Sequence, residues 1–120
     1  MCIRDSWDCV APPSSQQWFG PSADSKNTIL LRSSCQSNAG CSACIDLYGG
    51  QITNGNKIQI WACNHEASQE WTWDSGTMQL KYLSDPTKCI DVPGSNMSNG
   101  NKLWICAYCC SYPSSSFAFG

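Results

Sequence analysis

The stretch CIDLYGGQITNGNK, Cys44–Lys57, is spelled a second time as CIDVPGSNMSNGNK, Cys89–Lys102. Eight of the fourteen positions are identical without a gap, and the offset from Cys44 to Cys89 is 45 residues. A period of this length marks a repeat architecture, in which each unit buries its apolar face only against its siblings. Working outward, the first copy continues as IQIWAC (58–63) and then NHEASQEWTW (64–73). The beginning of the chain echoes that second half. Trp7 and Cys9 match Trp61 and Cys63, while Gln16, Gln17 and Trp18 match Gln69, Glu70 and Trp71. At the other end, Ser115, Ser116 and Phe117 stand against Gln69, Glu70 and Trp71, and Phe119 stands against Trp73.

The units read as strands. Ile58, Ile60 and Ala62 alternate with Gln59, Trp61 and Cys63, a period of two. TMQLKYL (77–83) is another strand candidate, echoed by TILLR (28–32). Asn-Gly at 54–55 and at 99–100 is a strong turn signal between apolar runs. No segment carries a helical stripe, so the expected fold is all-β.

Composition narrows the class. The chain has 120 residues, ten of them Cys, with 13% charged residues and a net charge of −2. Such a cysteine density indicates disulfides and an oxidising compartment. There is no Lys/Arg run to serve as a nucleic-acid footprint, and no apolar stretch long enough to span a membrane. Residues 1–6, MCIRDS, resemble the translation of a sequencing-library adapter and are set aside from fold reasoning. That leaves nine native cysteines, an odd number, which implies a free thiol or a missing partner.

These motifs together resemble the ricin B-type lectins. QQW at 16–18 and QEW at 69–71 match the QxW hallmark of that family, and CID, NGN and QIWAC are also characteristic. The resemblance covers residues 7–120. It implies a β-trefoil of four-stranded units of about 45 residues each, stapled by disulfides, with an incomplete first unit. Residues 7–34 would be the end of that unit, 35–43 a Cys-bearing insertion, 44–88 the second unit, and 89–120 a degraded third. Gln16, Trp18, Gln69, Trp71 and Phe117 would then be QxW core positions. A propeller blade has a similar length, but a propeller needs several blades and gives no reason for Cys44 to recur with Cys63.

The middle unit carries the chemistry. Residues two apart on a strand share a face, so Cys44 goes with Asp46, and Gln59 with Trp61 and Cys63. If Cys44 pairs with Cys63, a carboxylate, a carboxamide and an indole come together. Ile45, Leu47, Ile58 and Ile60 are then left for the core. Such a cluster suits a sugar. The carboxylate accepts from adjacent hydroxyls, the amide both donates and accepts, and the electron-rich indole face receives apolar C–H groups. The resemblance implies the same roles for Asp46, Gln59 and Trp61, and adds Ser68 and Gln69. Ser68 departs from the usual Asn there. Taken singly, Asp46 reads as a turn cap, Gln59 as a solvated strand residue, and Trp61 as a core Trp; the joint pattern favours binding. The third unit offers a second candidate site, Asp91, Trp104 and Tyr108, with Trp104 in the slot of Gln59 and Cys106 in that of Trp61. The first unit lacks the strand that would bring its Asp.

By the repeat, the expected disulfides are Cys44–Cys63 and Cys89–Cys109 (or Cys106), with Cys35–Cys41 inside the insertion. Cys106 and Cys110 are alternative partners, since connectivity does not follow from sequence. The two CxxC pairs, Cys41/Cys44 and Cys106/Cys109, lie too far apart for a zinc ribbon, so neither metal nor cofactor is expected. His65, the only His, reads as a solvated loop residue, and NMS at 96–98 is a glycosylation sequon. Nothing supplies a nucleophile with its base, or the paired carboxylates of a glycosidase, so no catalytic residue is assigned. The expectation is a secreted domain, not itself an enzyme, that binds galactose-like sugars, xylan or glycoprotein glycans, as relatives joined to toxins or glycoside hydrolases do. The alternative is a secreted structural or protein-interaction module that has lost sugar binding.

Overall fold

The computed structural model describes residues 17–21, 27–36, 40–95 and 100–107. Two four-stranded antiparallel sheets and a small hairpin make up these residues. The first sheet has the order β1 (Trp18–Phe19), β2 (Leu30–Leu31), β5 (Ala43–Leu47), β6 (Ile58–Ala62). The second has the order β10 (Trp104–Cys106), β9 (Asp85–Asp91), β8 (Gln79–Tyr82), β7 (Trp71–Asp74). The hairpin joins β3 (Cys35–Gln36) to β4 (Gly40–Cys41) and is closed by a Cys35–Cys41 disulfide. No α-helix occurs among the described residues. Of the expected strands, 77–83 shortens to Gln79–Tyr82 because residues 75–78 form the turn and Met78 adopts a φ of 58°.

β5 and β6 pair with Asp46 opposite Gln59 and Cys44 opposite Trp61. In the second sheet Asp91 lies opposite Trp104 and Cys89 opposite Cys106, so the same register recurs at the same sequence offset. Between the copies, the Asn54–Gly55 turn binds the two sheets together. Gly55 N–H donates to Ile105 O at 2.8 Å, Ile105 N–H to Asn56 O at 2.9 Å, and Ile58 N–H to Leu103 O at 3.1 Å. Asn54 Oδ1 accepts from both Lys88 Nζ and the Ala107 amide. Gly55 has a φ of 87°, a left-handed conformation that selects glycine.

The core gathers Ile29, Ile45, Leu47, Trp71, Leu80, Tyr82, Ile90, Val92, Leu103 and Ile105 from both sheets. Trp71 is fully buried, lies edge-on to Tyr82 with ring centroids 5.2 Å apart, and donates its indole N–H to Ile45 O. Trp18, its counterpart in the first QxW, is partly buried and packs against this cluster. Gln16 and Phe117 lie outside the described residues. One expected core residue is not in the core: Ile60 is 53% exposed. β6 is an edge strand of its sheet. Its partner Ile45 is covered by β2 as well, whereas Ile60 borders a recess of about 330 Å³ beside Trp18 and Leu103.

Cys44 and Cys63 form a disulfide. Cys89 and Cys106 are both disulfide-bonded, and Cys9, Cys109 and Cys110, like the sequon at 96–98, lie outside the described residues. None of the described cysteines is a free thiol.

Candidate functional site

The ladder between β5 and β6 builds the site rung by rung. Asp46 is 5% exposed, and its Oδ2 accepts a hydrogen bond from Gln59 Nε2 across the strands at 2.7 Å. Its Oδ1 is buried and has no hydrogen-bond partner among the described residues. A buried oxygen left in that state costs about 1–3 kcal/mol, and more when charged. Gln59 fixes the carboxylate with one amide hydrogen and keeps its carbonyl oxygen for a ligand. One rung away, Trp61 is 56% exposed. An indole this open on an edge strand presents a flat apolar face to solvent. The Cys44–Cys63 bridge holds the chain as it leaves β6.

Two 3-10 turns wall the site. Tyr48–Gly50 follows β5, with Gly49 and Gly50 at φ values of 62° and 65°. Ala67–Gln69 precedes β7 and meets the first turn at Ser68, whose Cβ would lie 3.8 Å from a Cβ placed on Gly50. Asn56 ties down the first turn by donating Nδ2 to Tyr48 O and to Gln51 O. The cavity so enclosed measures about 700 Å³, and Asp46, Gln59, Trp61 and Ser68 all line it.

Gln69 does not, and its expected role as a sugar ligand is corrected. The side chain is fully buried. Its Nε2 donates to Ala62 O at 2.8 Å and its Oε1 accepts the Asn64 amide at 2.9 Å. Both polar atoms brace the chain around Cys63, so no ligand reaches them. Conversely, Tyr48, Asn64 and Glu66 line the cavity and were missed from sequence. Tyr48 carried a readable signal, standing two residues beyond Asp46 and beside the Gly-Gly pair. Asn64 and Glu66 carried none, because they come from an irregular loop. His65 is exposed in that same loop. Tyr82 also borders the cavity; burial raises its hydroxyl pKa, and the Asp46 and Glu70 carboxylates add to the effect. It remains a neutral donor around pH 7.

In the second candidate site, the Trp104 indole N–H donates to Asp91 Oδ2 at 2.9 Å, and Asp91 is 2% exposed. The indole takes the place that the Gln59 amide holds in the middle site, but it offers no acceptor. Its ring lies against the Gly55 turn, 3.6 Å from where a Cβ on Gly55 would sit. Tyr108 lies outside the described residues.

A model of the ricin-type beta-trefoil lectin domain-like family matches residues 14–105. The chain belongs to this family. The structure agrees: the designed three-fold symmetric protein ThreeFoil superposes with a TM-score of 0.62 at 17% identity, over 92% of this chain and 70% of that one. At this identity the likeness shows the fold, a β-trefoil. No curated protein sequence matches the chain significantly. Membership of a ricin-type lectin-like family points to carbohydrate binding in general, on a fold that is typically non-catalytic. Among the described residues no helix is long and apolar enough to cross a membrane.

Proposed function

We propose that this ricin-type domain is a non-catalytic binder of neutral, galactose-like sugars or related xylan and glycoprotein glycans. Its site is the cavity around Asp46, Gln59, Trp61 and Ser68, in a middle unit spanning residues 44–88. One observation carries the reading. A buried carboxylate, oriented by a cross-strand carboxamide and one rung from an exposed indole, opens on a single cavity. Hydroxyls meet the carboxylate and the amide, and the C–H face of the ring lies on Trp61. Ser68, shorter than the Asn it replaces in the family pattern, reaches its hydroxyl through water. The disulfides support an extracellular setting. A single site of this kind binds weakly, so avidity would come from a joined partner domain, such as a catalytic one, or from further sites.

A glycan array of the disulfide-intact chain tests the proposal, run beside Asp46→Asn and Asp46→Ala, each checked for folding by circular dichroism. Signal from the wild type that falls at least about tenfold in both variants, about 1.4 kcal/mol, supports it. The sealing of Asp91 by Trp104 favours a second reading, a secreted module that has lost sugar binding and contacts protein instead. No array signal from a folded, full-length protein would support that second reading.

A further inference from the structure

The rungs flanking Asp46 are not equivalent to a single-ring site. Three successive positions on one face of the β5–β6 ladder are Cys44 with Trp61, Asp46 with Gln59, and then Tyr48 with Lys57. The first two are paired strand positions. The third continues the ladder through the Tyr48 N–H bond to Lys57 O at 3.2 Å. Same-face positions on one strand are two residues apart, roughly 6.6 Å, so the outer rungs are separated by roughly 13 Å. An open aromatic therefore stands on each side of the carboxylate: Trp61, 56% exposed, and Tyr48, 48% exposed.

Both rings border the same cavity. Its volume of about 700 Å³ lies in the range of roughly 300–1,000 Å³ that holds multi-ring ligands. Tyr48 is held for contact. Its carbonyl is anchored by Asn56 Nδ2 at 2.7 Å, which fixes the turn while leaving the ring in solvent. Lys57 Nζ sits 4.1 Å from the ring centroid. The ammonium thus occupies one side of the ring, while Lys57 itself borders the recess beside Trp18 and Leu103. Gln51, like Tyr48 on the cavity wall, adds a carboxamide there.

We infer that Tyr48, with Gln51, forms a second sugar subsite, so that the occupant is an oligosaccharide of at least two rings. This rests on the reading of the Asp46 cavity as a sugar site. The first ring is held by Asp46, Gln59 and Trp61, and the adjoining ring lies against the open side of Tyr48. The neutral hydroxyls of that second ring exchange hydrogen bonds with the Gln51 amide.

The test is isothermal titration of the full, disulfide-intact chain with galactose against lactose, and with xylose against xylobiose. The wild type is expected to bind one of the disaccharides about tenfold more tightly than its monosaccharide. Tyr48→Ala is expected to bring that ratio close to one, while Tyr48→Phe, which keeps the ring, retains it. Trp61→Ala weakens mono- and disaccharide together. Equal affinity of the wild type for one ring and two, or a ratio that Tyr48→Ala leaves unchanged, would overturn the second subsite while leaving the first in place. Absence of binding to all four sugars would instead remove the sugar-site reading, and the subsite with it.

Discussion

Gln59 and Gln69 carry the same carboxamide and do different work. Gln59 stands on an edge strand and turns one side of its amide to Asp46 and the other to the cavity. Gln69 is closed over by the protein and connects Ala62 O to the Asn64 amide. Gln69→Ala removes two hydrogen bonds and leaves a cavity, a loss of about 2 kcal/mol. The expected result is a Tm lowered by roughly 8 °C or more, by circular dichroism, with sugar affinity of the folded protein retained. The sequence identified Gln69 through QxW and Gln59 through alternation with Ile58 and Ile60. It did not say which amide faces water, because that depends on the 3-10 turn at Ala67–Gln69, whose three residues show no period. Asp46 and Trp61 were legible because a strand imposes a period of two and the Asn-Gly turn sets the register.

The β7–β8 hairpin shows electrostatics acting at the level of an element. Asp74 Oδ2 meets Lys81 Nζ at 2.7 Å, and Asp74 Oδ1 accepts the Gly76 and Thr77 amides of the turn. Lys81 first, and then the Thr77 amide, hold the Asp74 carboxyl at about 2, below its usual 3.8. The folded hairpin therefore favours the ionised carboxylate. Its contribution is present above pH 3.8 and is lost as pH falls from there towards about 2. Since the pair is only half-buried and open to solvent, the effect is modest and weakens with salt. Asp85, held low chiefly by the Thr87 hydroxyl, titrates in the same direction. Melting curves between about pH 2 and pH 5 should show Tm falling more steeply for the wild type than for Asp74→Asn, which keeps an oxygen for the turn. Equal slopes would remove Asp74 from the acid response. The exposure of Ile60 belongs to this scale too. Alternation marks which residues share a face, and only the strand order reveals that β6 lies at an edge.

At the scale of the molecule, the Cys44–Cys63 bridge closes a loop of sequence separation 19 around most of the site. A loop of this size is worth about 3 kcal/mol through the unfolded chain. The double variant Cys44→Ala/Cys63→Ala should lose about that much in denaturant unfolding, with the midpoint shifting to lower urea. A shift under about 1 kcal/mol would mean that the hydrogen-bonded turns carry the geometry alone. Most of the trefoil was legible because repetition writes one unit twice. The way the copies grip each other was not, since three of those contacts are between backbone groups and the other two run through the Asn54 side chain.

The Asn54–Lys57 turn leads directly into the strand that bears Gln59 and Trp61, yet half of its hydrogen bonds end on the neighbouring sheet at Ile105, Ala107 and Lys88. A ligand settling on the Trp61 indole would therefore load the neighbouring sheet through these bonds. An occupied pocket would stiffen Ile105 from across the turn, and loosening around residue 105 would raise the entropic cost of occupancy. Ligand binding at the proposed site would thus depend on how firmly the neighbouring sheet is held.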